Sequence, residues 1–329
     1  MSGSAGDTLP PVEVRHLASL IAIADHGSFS AAARAIGTVQ SNVSAHISRL
    51  EKELGVPLVD RQSGRLTEDG QVVVERGRRI INELEDIEAD IQSTAVIEGD
   101  TRIGVLGTTG RWLLPSFLPA LRAAHPRVRA TVFEGSTSTL LPRVVAGDLD
   151  AALVNFPVDE PELDVEPLFA EELLLICTDG HPWAGLESVT MQQLAGHPLL
   201  LPPRTAQLRR IIDRAAGAQR VSLQPQVEID GVRLITSLAL DGFGPAIVPA
   251  TALPKHFAGD IRRIPVPQLP RRLVGWASRR RPLPNKATRA ALEVAREAVR
   301  TAGHDQPGVS ADPRAMHPVR AGGAPSVRP

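Results

Sequence analysis

Apolar positions along the first hundred residues recur at helical spacing, and polar breaks punctuate them. Val14, Leu17, Leu20, Ile21 and Ala24 share one face of a first helix. Phe29, Ala32, Ala33 and Ile36 mark a second, about two turns long, which stops at Gly37, where a positive φ carries no steric cost. Ser30 is its expected N-cap. The period resumes at Val43, Ile47, Leu50 and Leu54, all on one side of a third helix. Two short amphipathic helices around a tight break form a helix-turn-helix pattern, in which the first braces the second.

The outward face of that third helix has an unusual composition. A rotation of about 100° per residue points Ser41, Ser44, Ala45 and Ser48 away from the apolar side, with Gln40, Asn42 and Arg49 flanking. A solvated helix face normally carries Glu and Lys. Small and hydrogen-bonding side chains instead let another surface come close and offer donors and acceptors to base edges and phosphates. A plain polar surface helix is the alternative reading of this window.

Residues 55–59 then read as a short strand and 61–65 as a turn leading back to Leu66 and Thr67. This is a wing beside the helix, with Arg61 and Arg65 placed to reach DNA backbone or minor groove. From 71 to about 96 the period becomes a heptad seam of Val73, Gly77, Ile80, Leu84, Ile87 and Ile91. A helix of that length spans roughly 40 Å, more than a small domain needs to cover itself. It predicts pairing with a second copy through Val73, Ile80, Leu84, Ile87 and Ile91, while Gly77 permits close helix approach. A long helix folded onto its own domain is the alternative.

Beyond a short hinge at 98–100, strands and helices alternate. Strands are expected at 101–107, 129–134, 151–155, 173–177, 198–201, 226–229 and 273–278, and helices at 112–125, 140–146, 205–216, 232–240 and 288–301. That order predicts α/β folding with a mainly parallel sheet. From Gly303 onward the chain is Pro, Gly, Ala and Arg without a period, and disorder is expected.

The stretch VRHLASLIAIADHGSFSAAARAIGTVQSNVSAHISRLEKELGVPLVDRQSGRLTEDG resembles the DNA-binding domain of the LysR-type transcriptional regulators. The marks are GSFS, the Ala pair, Gln40-Ser41-Asn42-Val43-Ser44, Leu50-Glu51-Lys52-Glu53-Leu54-Gly55 and Leu66-Thr67-x-x-Gly70. Two positions depart from the family. Val39 stands where Ser or Thr usually caps the recognition helix, and Ala45 where Arg is common. Further on, Gly147-Asp148-Leu149-Asp150-Ala151-Ala152, Asp179-Gly180-His181-Pro182 and the run from Gly242 to Pro249 (GFGPAIVP) match the effector domain of such regulators. The resemblance covers residues 12 to about 300.

The family therefore implies an all-α winged helix-turn-helix over 12–70 and a linker or dimerisation helix over 71–97. It also implies a two-lobed, periplasmic-binding-protein-like (type 2) α/β domain over 101–302. Lobe I takes about 101–168 and 269–302, and lobe II about 169–268. A lead at 1–11 and a tail at 303–329 flank them. DNA-contacting residues are expected at Gln40, Ser41, Asn42, Ser44, Ala45, Ser48, Arg49, Arg61 and Arg65. The implied partners are a roughly palindromic double-stranded operator, a small-molecule effector and further copies of the chain, as a dimer or a dimer of dimers. No cofactor and no membrane is expected.

Composition narrows the picture in three places. Residues 11–70 hold six Lys/Arg (Arg15, Arg34, Arg49, Lys52, Arg61, Arg65) against seven Asp/Glu (Glu13, Asp25, Glu51, Glu53, Asp60, Glu68, Asp69). Non-specific DNA binding is then weak, and useful affinity requires domains acting together. The single cysteine, Cys177, lies in an apolar run, so it reads as a core thiol, cannot close an internal disulfide and fits a reducing cytoplasm. The first residues, MSGSAGDTLPP, carry neither a basic start nor an apolar core, and no signal peptide is expected.

In open α/β sheets a ligand lies beyond the carboxyl ends of strands, against helix N-termini whose N–H groups favour anions. Three stretches fit: Thr108, Thr109 and Arg111; Ser136, Thr137 and Ser138; Arg204 and Thr205. Hydroxyls with two arginines suit a small carboxylate, although each stretch alone also reads as a helix cap. An enzyme finds little support. The chain carries no nucleophile elbow, no metal-ligand spacing and no phosphate loop, and Gly242-x-Gly244 lacks the third glycine of a dinucleotide fingerprint.

Overall fold

The computed structural model describes residues 12–61, 63–91, 96–253 and 261–314, and the expected lead at 1–11 and the tail beyond 314 lie outside them. The chain divides into two units, the first running to residue 93 and the second built by most of the chain from residue 94.

The first unit holds α1 (Val14–His26), α2 (Phe29–Ala35), α3 (Gln40–Leu54) and α4 (Glu68–Ile91). Its core is Leu17, Leu20 and Ile23 of α1, Ala32 and Ala33 of α2, Val43, Ile47 and Leu50 of α3, and Leu58, Val59 and Val74. The Ala pair leaves no bulk between α2 and its neighbours, which sets their close approach. Three apolar positions depart from the pattern: Val14, Ile36 and Leu54, at helix ends beyond the core, are 44%, 41% and 40% exposed. The N-cap of α2 is Ser28, whose hydroxyl accepts from Ala31 N at 3.2 Å, and not Ser30, which lies inside the first turn. Gly37 takes φ 69°, as its place at the break requires.

No strand forms at 55–59. The wing reduces to one antiparallel bridge, Val59 to Leu66, around a turn at Gly64. Glu51 of α3 occupies the N–H groups of Leu58 and Val59 at 2.9 and 3.2 Å, so they are not available for a ladder. Thr67 joins the wing to α4: its hydroxyl donates to Pro57 O at 2.7 Å and accepts from Gly70 N at 3.0 Å.

The second unit begins with β1 (Glu98–Leu106), α5 (Gly107–Ala124), β2 (Arg127–Gly135), α6 (Thr137–Ala146), β3 (Ala151–Phe156) and β4 (Leu163–Glu171). The second lobe contributes β5 (Leu173–Thr178), α7 (Met191–Ala195), β6 (Pro198–Leu201), α8 (Gln207–Ala218), β7 (Gln224–Glu228), α9 (Val232–Leu240), β8 (Ala246–Pro249) and β9 (Ile261–Pro265). The chain then returns through β10 (Arg272–Arg279), α10 (Lys286–Asp305) and β11 (Val309–Ser310). One sheet has the order β11-β4-β10-β3-β1-β2 and the other β7-β6-β8-β5-β9.

Both sheets are mixed, not mainly parallel. β1 runs parallel to β2 and β3, and β6 to β7 and β8, but β10 is antiparallel to β3 and β4, and β5 to β8 and β9. The chain crosses between lobes after β4 and again before β10, and the strand that enters each lobe, β5 or β10, runs against the βαβ direction. Three expectations give way here, and one strand that none covered appears. Residues 98–100 are not a hinge but the first three rungs of β1, paired with Arg127, Val128 and Arg129. β4, which contains Pro167, is a full strand that accommodates the proline with a register shift opposite Gly275. α5 starts at Gly107, so Thr108, Thr109 and Arg111 lie in its first turns. The chain stays ordered past Gly303: α10 continues to Asp305, Gln306 is buried and donates to the carbonyls of Ala250 and Leu253, and β11 pairs with β4.

Candidate nucleic-acid interface and ligand cavity

The recognition face of α3 forms as its spacing requires. Gln40, Ser41, Asn42, Ala45, Ser48 and Arg49 are exposed and Ser44 is half-buried, opposite a fully buried Val43, Ile47 and Leu50. Val39 occupies the N-cap without a side-chain bond. One residue earlier, Thr38 Oγ1 accepts from Asn42 Nδ2 at 2.9 Å, which fixes the amide of a base-reading candidate before any DNA arrives. Arg49 lies 3.8 Å from Glu13.

Arg61 is held against α3. Its Nη2 donates to Ser48 Oγ at 3.2 Å and Glu51 Oε2 at 2.7 Å, and its guanidinium lies 5.7 Å from the centre of the Phe29 ring. Burial alone would raise the Glu51 carboxyl, but the N–H groups of Leu58 and Val59 together with Arg61 outweigh it and hold the carboxyl below its ordinary value. Arg65 is exposed, with no side-chain partner among the described residues. Behind α3 lies a polar contact that sequence periodicity missed. His16 of α1 is fully buried, and its ring centre is 5.2 Å from that of His46 on α3. Ser19 Oγ donates to Arg15 O at 2.9 Å, so it accepts from His46 Nδ1 at 2.8 Å.

The seam of α4 divides. Val73 packs half-buried on the unit's own core, and Gly77 lies under α1, where an added Cβ would be 3.4 Å from Ile21 Cδ1 and 3.5 Å from Leu17. Val73 is thus spent inside the unit, because α1 takes the first turns of α4. Ile80, Leu84 and Ile87 stay 47%, 40% and 45% exposed. The Ile91 side chain lies outside the described residues.

In the second unit a cavity of about 430 Å³ opens where the N-terminal ends of α5, α6, α8 and α9 converge. Thr108, Ser136 and Thr137 line it; Thr109, Arg111, Ser138, Arg204 and Thr205 do not. Thr109 is fully buried in α5, and Ser138 bonds Ser136 Oγ at 2.9 Å. Arg111 turns to Thr251 O at 3.0 Å, with burial, Arg233 and Arg263 lowering its affinity for a proton. Arg204 and Thr205 are exposed in the turn before α8, which starts two residues later than its apolar period suggested.

Sequence reasoning missed Arg272, Asn155, Gln207 and Asp230. Arg272, 2% exposed at the start of β10, donates Nε to Glu171 Oε1 at 2.9 Å and Nη2 to the same oxygen and to Thr108 Oγ1 at 3.2 Å. Glu171, itself fully buried, accepts from Thr251 N at 2.9 Å through its other oxygen. Asn155 N donates to Thr137 Oγ1 at 3.0 Å, while its buried Oδ1 has no partner among the described residues. Gln207 Nε2 reaches across to Pro157 O at 2.9 Å, and Arg233 pairs with Glu134 at 2.7 Å, so both lobes are bonded across the opening. Asn155 ends a strand that the sequence does show, and the rule that placed Thr108 and Ser136 reaches it equally.

Among the described residues no group of three or more His, Cys, Asp or Glu is disposed to hold a metal ion, and no helix is long and apolar enough to cross a membrane.

Comparison with known proteins gives two family matches: the bacterial regulatory helix-turn-helix protein, lysR family, over residues 14–71, and the LysR substrate binding domain over residues 95–300. The DNA-binding transcriptional dual regulator OxyR of Escherichia coli K12 is 31% identical over 298 residues, covering 88% of this chain and 95% of that protein. An uncharacterised HTH-type regulator, YusT of Bacillus subtilis, is 28% identical over 249 residues, covering 75% of this chain and 82% of its own length. Among solved structures, full-length OxyR of Pseudomonas aeruginosa superposes with a TM-score of 0.71 at 24% identity, covering 89% of this chain and 97% of its own. Full-length CbnR in complex with its target DNA gives 0.65 at 21%, covering 87% and 99%. These two structural likenesses are likenesses of fold.

Proposed function

The chain belongs to the LysR family of transcriptional regulators, and from that membership we propose how its own residues do the work. Gln40, Ser41, Asn42, Ser44, Ala45, Ser48 and Arg49 read an operator, Arg61 braces the reading helix, and Arg65 meets the backbone. The observation that carries this reading is the exposed row of small polar side chains on α3, with the Asn42 amide already oriented by Thr38. Ile80, Leu84 and Ile87 pair two chains, and Ile91 extends that seam. A two-fold pair presents two reading helices to one face of DNA, so the operator is roughly palindromic.

The cavity at Thr108, Ser136 and Thr137 takes a cytoplasmic small-molecule effector that bears a carboxylate. Its binding shifts the balance between lobe arrangements. Relatives are named hydrogen peroxide-inducible genes activators. This sequence holds one cysteine, which cannot close a disulfide within the chain, and its thiol is buried in β5. The signal here is accordingly a metabolite, and regulation rather than catalysis is the activity.

A gel shift against the chain's own upstream DNA, with a scrambled fragment at two salt concentrations, tests the reading. Selective retention of the upstream fragment is expected. Equal, salt-sensitive retention of both would show that Val39 and Ala45 have cost the chain its operator.

A further inference from the structure

The cavity's charges do not suit a simple anion. Both cations in its wall are already neutralised: Arg272 by Glu171, and Arg233 by Glu134. Asp230 remains in the same wall with no ion-pair or hydrogen-bond partner among the described residues. It precedes α9, yet it does not cap it: Gly231 holds the N-cap, with φ 135° and no side-chain bond. Asp230 is exposed and hydrated, whereas the Asn155 side-chain oxygen, in a residue 5% exposed, is buried and unmet. A buried acceptor without a protein donor costs free energy, which favours a ligand that brings an N–H group there.

Two hydroxyls in the same wall have the opposite need. Thr108 Oγ1 already accepts from Arg272, and Thr137 Oγ1 from Asn155 N. Each hydroxyl therefore has its own proton left to donate, and both stand in the first turn of a helix, α5 and α6, whose free N–H groups favour negative charge. A carboxylate fits there. Leu106, Ala206, Leu208 and Val232 supply apolar wall.

Resting on the effector reading above, we propose that the ligand is an amino acid or a similar zwitterion, not a plain carboxylic acid. Its carboxylate meets Thr108 and Thr137 at the ends of α5 and α6. Its ammonium answers Asp230 and Asn155 Oδ1. A volume of about 430 Å³ holds such a molecule with a modest side chain.

The test uses the full-length protein in calorimetric titrations against the common amino acids, each beside its deaminated acid, such as glutamate with glutarate and phenylalanine with 3-phenylpropionate. At least one amino acid is expected to bind about tenfold or more tightly than its deaminated partner, the scale of one charge-assisted hydrogen bond. Asp230→Asn, a change at an exposed position, should erase most of that preference. Deaminated acids that bind as well as their amino acids would overturn the zwitterion while leaving the effector cavity standing. Binding by neither set would overturn both, and a preference that survives Asp230→Asn would overturn the placement of the ammonium.

Discussion

A side-chain carbon added at Gly70 would fall 2.1 Å from the carbonyl oxygen of Leu58. The Leu-Thr-x-x-Gly sequence thus reflects a close approach: Thr67 ties the wing's backbone to the first turn of α4, and only a hydrogen fits between them. Replacing a helical glycine with alanine ordinarily gains about 1 kcal/mol. Here Gly70→Ala is expected to cost the first unit about 1–3 kcal/mol, the range for overpacking. All three tryptophans (Trp112, Trp183, Trp276) lie in the second unit and the chain has no tyrosine. Hydrogen exchange at α1 and α3 is therefore the measurement; unchanged exchange would refute the contact.

The pairing of His16 with His46 predicts a pH dependence. Burial, then His16 and Arg15, lower the His46 value; Glu13 opposes and Arg49 adds to the lowering. A histidine depressed in the folded state gives stability that is present in full above its unfolded value near 6.5 and is lost as pH falls through the lower folded value. Protection of the α1 and α3 amides should fall between pH 7 and 5. In His46→Gln that fall should shrink, and an equal fall in both proteins would place the titrating group elsewhere.

Ser41→Ala and Asn42→Ala should each weaken operator binding by about 1–3 kcal/mol, the scale of a specific base contact, without changing the oligomer. Arg65→Ala should act differently, weakening all sequences alike and lowering the salt slope by about one. Loss of oligomer in either serine or asparagine variant, measured by sedimentation, would remove them from the reading surface.

Leu84→Glu is expected to leave the fold intact, since the side chain is 40% exposed, while driving dimers toward monomers and weakening operator binding far more than non-specific binding. Val73→Ala should instead loosen the first unit itself. Sedimentation and amide exchange separate the two outcomes, and a Leu84→Glu protein that stays dimeric would move the interface off α4.

Cys177 should resist thiol reagents in the native protein, because burial and then the Asp179 charge raise its pKa. Peroxide at concentrations that oxidise exposed thiols is expected to leave the operator footprint unchanged in both the parent and Cys177→Ser. A peroxide-dependent footprint abolished by Cys177→Ser would reverse this assignment.

Periodicity carried the helices because burial imposes it: Val43, Ile47 and Leu50 had to share a side, and they do. It failed at ends, where the core runs out before the pattern does, as at Leu54, and it offered no strand at 163–171, where Pro167 sits at a register shift opposite Gly275. The seam was legible as apolar, but which helix would cover its first half was a tertiary fact, settled by Leu17 and Ile21. The cavity shows the same limit. Thr108 and Thr137 follow strands and could be found, whereas Arg272 joins Thr108 from 164 residues away through a bond that no local pattern encodes. No spacing in the sequence links His16 to His46, and their partnership appears only when the helices cross.

β11 is two residues long, yet it occupies the outer rim of β4 at Ala170 and Glu171, and Gln306 beside it covers two carbonyls of the facing lobe. A truncated protein stopped at residue 300, where the family match ends, would bare that rim. Uncovered strand rims recruit other chains. For anyone preparing this domain alone, those last few residues decide between a clear solution and a precipitate.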